Sequence, residues 1–222
     1  MEPSKDAAPA TSVAYNVIAT ERRLDRIGAL SDGLFAIAMT IIVLEIRVPA
    51  LGEHPTDQAV LGALGDLGPR FLTYLLSFLT LGIFWNAQHS QLNYIARGDR
   101  HFAWLELAYL AVVALLPFST SLLAEYIDSR VAFGVYWLNL LGLGVVLFVG
   151  WIYAERAGLV DPGTPAHVGS AIRRRIFNYQ SLYTVGFLIA LTPLGTIPAI
   201  VWVVLVQLNA AIAPRILVLW RL

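Results

Sequence analysis

The chain has 222 residues, of which 58% are hydrophobic and only 14% charged, and its mean hydropathy is +0.68. A soluble domain carries roughly 25% charged residues, so the composition excludes a soluble globular domain, and the same figures exclude a long disordered chain. Fifteen basic and fifteen acidic residues cancel, which excludes a nucleic-acid binder held by bulk charge.

An integral membrane protein remains, with room for six helical spans of about 20 residues each. Residues 1–23 are polar and mixed and read as a cytoplasmic N-terminal tail with no apolar signal-peptide core. Residues 24–222 read as one membrane domain. The first span runs from about Ile27 to Ile46. A connection with Pro49, Gly52, Pro55, Gly62 and Gly65 leads to the second, about Phe71 to Tyr94. Its last third is wetter, with Asn86, Gln88, His89, Gln91 and Asn93. The third covers about Phe102 to Ala124 and contains Pro117. The fourth covers about Val131 to Tyr153. The longest polar connection follows, from Asp161-Pro162-Gly163 to Arg173-Arg174-Arg175. The fifth covers about Ile176 to Leu191, the hinge Thr192-Pro193-Leu194-Gly195-Thr196 turns the chain, and the sixth covers about Ile197 to Leu219. The runs are continuous and not alternating, so the expected fold is all-α and not a β-barrel.

Counting Lys and Arg orients the spans. With the N-terminus in the cytoplasm, twelve basic residues lie inside and three (Arg47, Arg70, Arg130) outside, which also supports an even number of spans and a cytoplasmic C-terminus. No cysteine is present, which removes disulfides, thiol catalysis and thiolate metal sites. The four histidines are scattered, and no H-E-x-x-H or phosphate-binding loop occurs, so neither a fixed metal, a cofactor nor an enzyme is expected.

Two features of the first span stand out. Asp32 is an ionisable residue inside an apolar helix, which is costly unless paired or wet. It reads either as a staple fixing helix packing or as a functional group. Arg26, six residues earlier, points to a different face and is not expected to pair with Asp32 within the helix. The second feature is a stripe: Gly33, Ile37, Thr40, Ile41 and Leu44 share one helical face. By spacing alone this is either packing or pore lining, and the Thr40 hydroxyl can bond back to its own helix. In the second span Trp85 and His89 also share a face, and His89 falls near Asp32 in depth. The three could form an interhelical hydrogen-bond network. In the fifth span Thr184-Val185-Gly186-Phe187 matches the start of a TVGYG filter loop, but it lies within an apolar run with no separate pore helix and is discounted.

Arg26 to Gly33 resembles the R-x-x-x-F-S-D-G signature of the transmembrane protein 175 family in its bacterial single-repeat form, potassium channels without the TVGYG filter. Phe35 to Ile46 resembles the family's F-A-I-x-x-T-L-L-V-L-E-I. Trp85 and His89 match its second-span Trp/His pair, and Pro117 to Leu122 resembles P-F-x-T-x-L in its third. Leu30 departs from the usual Phe, Ile41 and Ile42 from a Leu pair, and Ser90 from a second His.

The resemblance implies a homotetramer whose first helices line a central pore, in the cell (inner) membrane, with K+ as the permeant ion. It implies an apolar constriction at Ile37, Ile41 and Leu44, with Thr40 contributing to selectivity. It implies a polar network of Arg26, Ser31, Asp32, Trp85 and His89 holding the first span. Two other readings stand beside potassium conduction. One is a proton-conducting protein or secondary cation transporter using Asp32 and His89. The other is a membrane scaffold without transport.

Overall fold

The computed structural model describes the backbone of residues 10–47, 49–52 and 54–212, and the side chains among them from Leu24 onward. The helices are α1 (Ala10–Val43), α2 (Asp57–Asp66), α3 (Gly68–Leu92), α4 (Arg100–Ala114), α5 (Leu116–Glu125), α6 (Arg130–Arg156), α7 (Ala166–Leu191) and α8 (Thr196–Ile212). No sheet forms among the described residues; the one extended contact is an isolated antiparallel bridge between Ile95 and Val160. The protein is all-α. Each of the six apolar stretches falls on α1, α3, α4–α5, α6, α7 or α8. Residues 213–219, the end of the sixth stretch, lie outside the described residues, as do the side chains of Lys5, Arg22, Arg23, Arg215 and Arg221.

Among the described residues, four helical segments are long and apolar enough to cross a membrane: Leu24–Val43, Gly68–Leu92, Arg100–Glu125 and Arg130–Arg156. The third of these is α4 and α5 together. Pro117 sits in the first turn of α5 and breaks the helix ahead of it, because it lacks an N–H and its ring crowds the carbonyl four residues back. Asp99 starts α4 by accepting from the Phe102 N–H at 2.7 Å, and Ser129 starts α6 by accepting from Ala132 at 3.3 Å.

The structure differs from the sequence expectation in three places. Helix α1 begins at Ala10, within the residues read as a tail. The connection after the first span contains α2, capped by Thr56, whose hydroxyl accepts from the Ala59 N–H. Its two glycines read as loop, yet Asp57 at the positive end and the cap start a helix. The polar connection after the fourth span is also shorter than expected. It ends at Pro165, and Arg173-Arg174-Arg175 ride inside α7 because Ala and Arg are strong helix formers. Arg173 is ion-paired with Glu155 of α6.

Helix α6 sits centrally, packed by α4, α5 and α7, and α8 wedges between α7 and α3. Helix α1 lies at the edge, against α3, α4 and α5. It is the least enclosed of the four spans, with 22% of its apolar window buried against 39–44% for the others. Loop contacts tie both ends of the bundle. At one end Arg70 pairs with Glu125 at 2.7 Å, and Arg130 donates to the Thr192 carbonyl at 3.1 Å. At the other, the Tyr153 hydroxyl donates to Asp99 at 2.6 Å and Arg97 to the Gly158 carbonyl at 3.1 Å. Gly195, at φ +81°, supplies the left-handed turn between α7 and α8.

The Thr184-Val185-Gly186-Phe187 run is a continuous part of α7, and Thr184 bonds back to the Gln180 carbonyl at 2.8 Å. Gly186 lies directly against α8. A Cβ there would lie 2.9 Å from Val203 Cγ2 and 3.1 Å from Trp202 Cδ1. Gly186→Ala is therefore expected to lower stability by about 1–3 kcal/mol. Gly82→Ala, where nothing lies within 4 Å, is expected to be neutral or to stabilise by up to about 1 kcal/mol. Thermal unfolding of the detergent-solubilised protein compares the two.

Candidate functional site

Helix α1 has two opposed faces. Ser31, Phe35, Ala38 and Ile42 recur at helical spacing and are all buried against α3, α4 and α5. On the opposite side Gly33, Ile37, Thr40, Ile41 and Leu44 are exposed in the single chain, with Ile37 at 57%, Ile41 at 41% and Leu44 at 71%. Leu30 joins that side, half exposed. An apolar strip left open by the subunit's own fold marks a face that meets lipid, another subunit or a pore.

Thr40 donates its hydroxyl to the Ile37 carbonyl at 2.8 Å. Its only proton is thus spent inside the helix, and the oxygen offers lone pairs alone to whatever lies on the open face. After Val43 the chain tightens. The N–H groups of Leu44, Glu45 and Ile46 each bond three residues back, to Ile41, Ile42 and Val43. Leu44 stands on this narrower turn.

The polar anchors form two groups at the Asp32 end. In the first, Trp85 Nε1 donates to Asp32 Oδ1 at 2.8 Å, and the His89 ring stacks on Trp85 with centroids 5.6 Å apart. Asp32 and His89 also line one open groove of about 470 Å³ with Leu24, Gly28 and Asn93. In the second, the Ser31 hydroxyl donates to Gln88 Oε1 at 2.5 Å, and Gln88 Nε2 donates to Glu106 Oε2 at 2.6 Å. All three residues of that chain are buried. Of the five anchor residues singled out in sequence, the structure joins Asp32, Trp85 and His89 directly and places Ser31 in the neighbouring chain. Arg26 is exposed, and no hydrogen bond or ion pair joins it to Asp32 or to α3 among the described residues.

Gln88 and Glu106 are the functional candidates that the sequence pattern passes over. Gln88 sits in the wet-looking third of its span, although it is 1% exposed. Glu106 carries the same signal that marks Asp32, an ionisable side chain inside an apolar stretch. At the far end of α1, Glu45 accepts from Ser121 at 2.7 Å, and its carbonyl accepts from Arg70 at 3.2 Å. The stretch from Ser31 to Glu45 is thus held by polar bonds at both ends and by apolar packing between them.

The Asp32–Trp85 bond sets a measurable coupling. A double-mutant cycle of Asp32→Asn with Trp85→Phe is expected to depart from additivity by about 1 kcal/mol, whereas Asp32→Asn with Arg26→Gln adds within about 0.5 kcal/mol. Unfolding of each variant in detergent supplies the four free energies.

Comparison with known proteins bears on this helix directly. Residues 26–117, which run from within α1 through α2, α3 and α4 to the start of α5, match the family model for the endosomal/lysosomal potassium channel TMEM175. The chain is 38% identical to a potassium channel of Streptomyces collinus, over 76% of this chain and 84% of the relative. It is 34% identical to the endosomal/lysosomal proton channel TMEM175 of Gallus gallus, over 47% of this chain and 22% of that one. The crystal structure of a lysosomal potassium-selective channel TMEM175 homolog from Chamaesiphon minutus superposes with a TM-score of 0.72 at 28% identity, covering 86% of this chain and 98% of that one. With more than two thirds of a relative matched above 30% identity, and the open-faced first helix inside the matched segment, the chain belongs to the TMEM175 family of ion channels.

Proposed function

We propose that the protein conducts potassium ions passively through a homotetrameric pore lined by α1. The observation that carries this reading is the division of α1. The subunit buries one face and leaves the opposite one, Ile37, Thr40, Ile41 and Leu44, without a partner of its own. Four copies around an axis give that face a place. The bacterial relative named a potassium channel and the potassium-selective structural neighbour support the choice of ion.

In this reading α1, α3, α4–α5, α6, α7 and α8 are six spans of the cell membrane, with both termini cytoplasmic. The twelve-to-three sorting of basic residues supports that orientation. Asp32 then lies at the inner end and Glu45 at the outer end. Ile37, Ile41 and Leu44 form a narrow apolar constriction. A cation there loses hydration that aliphatic carbons cannot replace, so a closed ring excludes water and an open one must dilate. Thr40 supplies the sparse oxygen, and its internal hydrogen bond turns the lone pairs toward the ion. Ser31, Asp32, Trp85 and His89 hold the helix within the subunit. Arg26, on the open side, reaches a neighbouring subunit. Conduction needs no cofactor, no fixed metal and no catalytic group.

A second reading is proton conduction or coupled cation transport. Asp32 and His89 line one groove and are bridged by Trp85, and the avian relative is named a proton channel.

Purified protein in liposomes with opposed potassium and sodium gradients tests the reading. The reversal potential is expected to follow potassium. Ile37→Asn or Leu44→Ala is expected to change conductance or the K+/Na+ permeability ratio by about tenfold, which corresponds to about 1.4 kcal/mol at the constriction. Flux unaltered in every such variant removes the stripe from the pore. A reversal potential that tracks the pH gradient and neither alkali cation favours the second reading.

A further inference from the structure

The buried chain Ser31–Gln88–Glu106 joins three helices. Helix α4 supplies the carboxyl group, α3 the amide and α1 the hydroxyl, with bonds of 2.6 Å and 2.5 Å. Glu106 is 7% exposed, and a Cβ on Gly150 of α6 would lie 4.0 Å from its Oε1, so α6 closes the site without crowding it. An acid so placed inside an apolar span is expensive to keep. Replacement by a well-packed apolar residue would remove that cost. The arrangement therefore calls for a use beyond packing.

The chemistry of the three groups gives the use a direction. As a carboxylate, Glu106 only accepts. It therefore turns the amide of Gln88 so that Nε2 faces α4. That leaves Gln88 Oε1 facing α1, where it can only accept, so the Ser31 hydroxyl must donate outward to α3. Without the carboxylate both amide orientations become available. The Ser31 proton can then return to a carbonyl of its own helix, as serine in a helix commonly does.

Among the described residues, Ser31 is also the only hydrogen-bonding member of the buried face of α1. Phe35, Ala38 and Ile42 contribute contacts that tolerate small rotations, because apolar burial has no preferred direction. A hydrogen bond does have one. Ile37 stands six residues beyond Ser31 on the opposite face, so a rotation at Ser31 is carried up the helix to the stripe.

We propose that Glu106 and Gln88 are positioning residues for conduction. Acting through Ser31, they fix the angle at which α1 presents Ile37, Thr40, Ile41 and Leu44 to the permeating ion. The proposal rests on the pore reading above.

The test reads the K+/Na+ permeability ratio from reversal potentials in liposomes. That ratio does not depend on how many channels have folded, so a purely structural role does not move it. Glu106→Ala is expected to lower the ratio by about three- to tenfold, the scale of losing one directed hydrogen bond. The exchange Gln88→Glu with Glu106→Gln rebuilds every bond. The new carboxylate on α3 accepts from Ser31 and from the amide now on α4. It is expected to return the ratio to within about twofold of the unmodified protein. Where Glu106→Ala fails to assemble, Ser31→Ala removes the same bond from the α1 end and is expected to shift the ratio in the same direction. An unchanged ratio in Glu106→Ala or Ser31→Ala, alongside a shifted ratio in Ile37→Asn, overturns the proposal and leaves the pore reading standing. An unchanged ratio in Ile37→Asn as well overturns both. A shifted ratio that the exchange does not restore also overturns the proposal, because the chain's bonding direction is then not what acts.

Discussion

A polar side chain inside a hydrocarbon layer has no water to turn to, so its partner must come from its own helix or from a neighbour. The bundle is organised around that constraint. Thr120 donates to Ser77 at 2.6 Å, Thr80 and Tyr136 share a bond of 2.8 Å, and Gln207 donates to Thr80 at 2.5 Å. These residues lie on α3, α5, α6 and α8 and tie those four helices together. Side chains also reach backbone carbonyls of other helices: Asn139 that of Val112, Gln180 that of Leu140, Trp202 that of Leu182 and Tyr109 that of Phe84. Gly144 leaves the space that the Gln180 side chain crosses to reach its acceptor. Each such bond has a direction, which apolar packing against lipid-like neighbours lacks. The polar minority therefore sets the angles and depths at which the helices meet.

Helix α1 obeys the same rule with a different outcome. Its bonds to other helices, among the described residues, come from Ser31 and Asp32 in its second half and from Glu45 just past its C-terminus. Between them Phe35, Ala38 and Ile42 pack on the bundle by shape alone. Between these bonds the segment is located by close packing, which has no preferred direction, so it tolerates a small rotation more readily than the bonded positions do. In the proposed pore, that stretch falls at the level of the constriction.

The sequence makes the spans legible because hydropathy is a bulk property that survives uncertainty in contacts. It makes the stripe of α1 legible because helical periodicity fixes which residues share a face. It does not say which face is buried. Ile37 and Ile42 read alike, and only the packing of α3, α4 and α5 against Ser31, Phe35, Ala38 and Ile42 separates them. The same limit hides Gln88 and Glu106. A polar residue near the end of an apolar run reads as wet, whether it faces water or a partner, since the pattern along one helix carries no information about what stands opposite. The start of α7 is hidden for another reason. Arginine is a good helix former and a strong anchor at once, and hydropathy registers only the anchor. Helix α2 is missed because its glycines outweigh its cap by composition, although the cap and a short stretch of packing on α3 suffice to hold it.

The family likeness departs at adjacent positions, Ile41 and Ile42, where a Leu pair is usual, and the structure shows that the two substitutions do different things. Ile42 is fully buried and fills the core behind α1, whereas Ile41 stands on the open face. A β-branched side chain in a helix is nearly confined to one rotamer. Ile37 and Ile41 are therefore nearly fixed at χ1, and only their δ-methyl groups can rotate to change their separation across the proposed pore. Leu44, γ-branched and on the tightened final turn, keeps more freedom. In the proposed pore, opening at the level of Ile37 and Ile41 then comes mainly from displacement of α1 itself. That displacement is resisted by the directed bonds of Ser31, Asp32 and Glu45 together with the packing of Phe35, Ala38 and Ile42, which makes these anchors, and not the apolar ring alone, determinants of how readily the proposed constriction dilates.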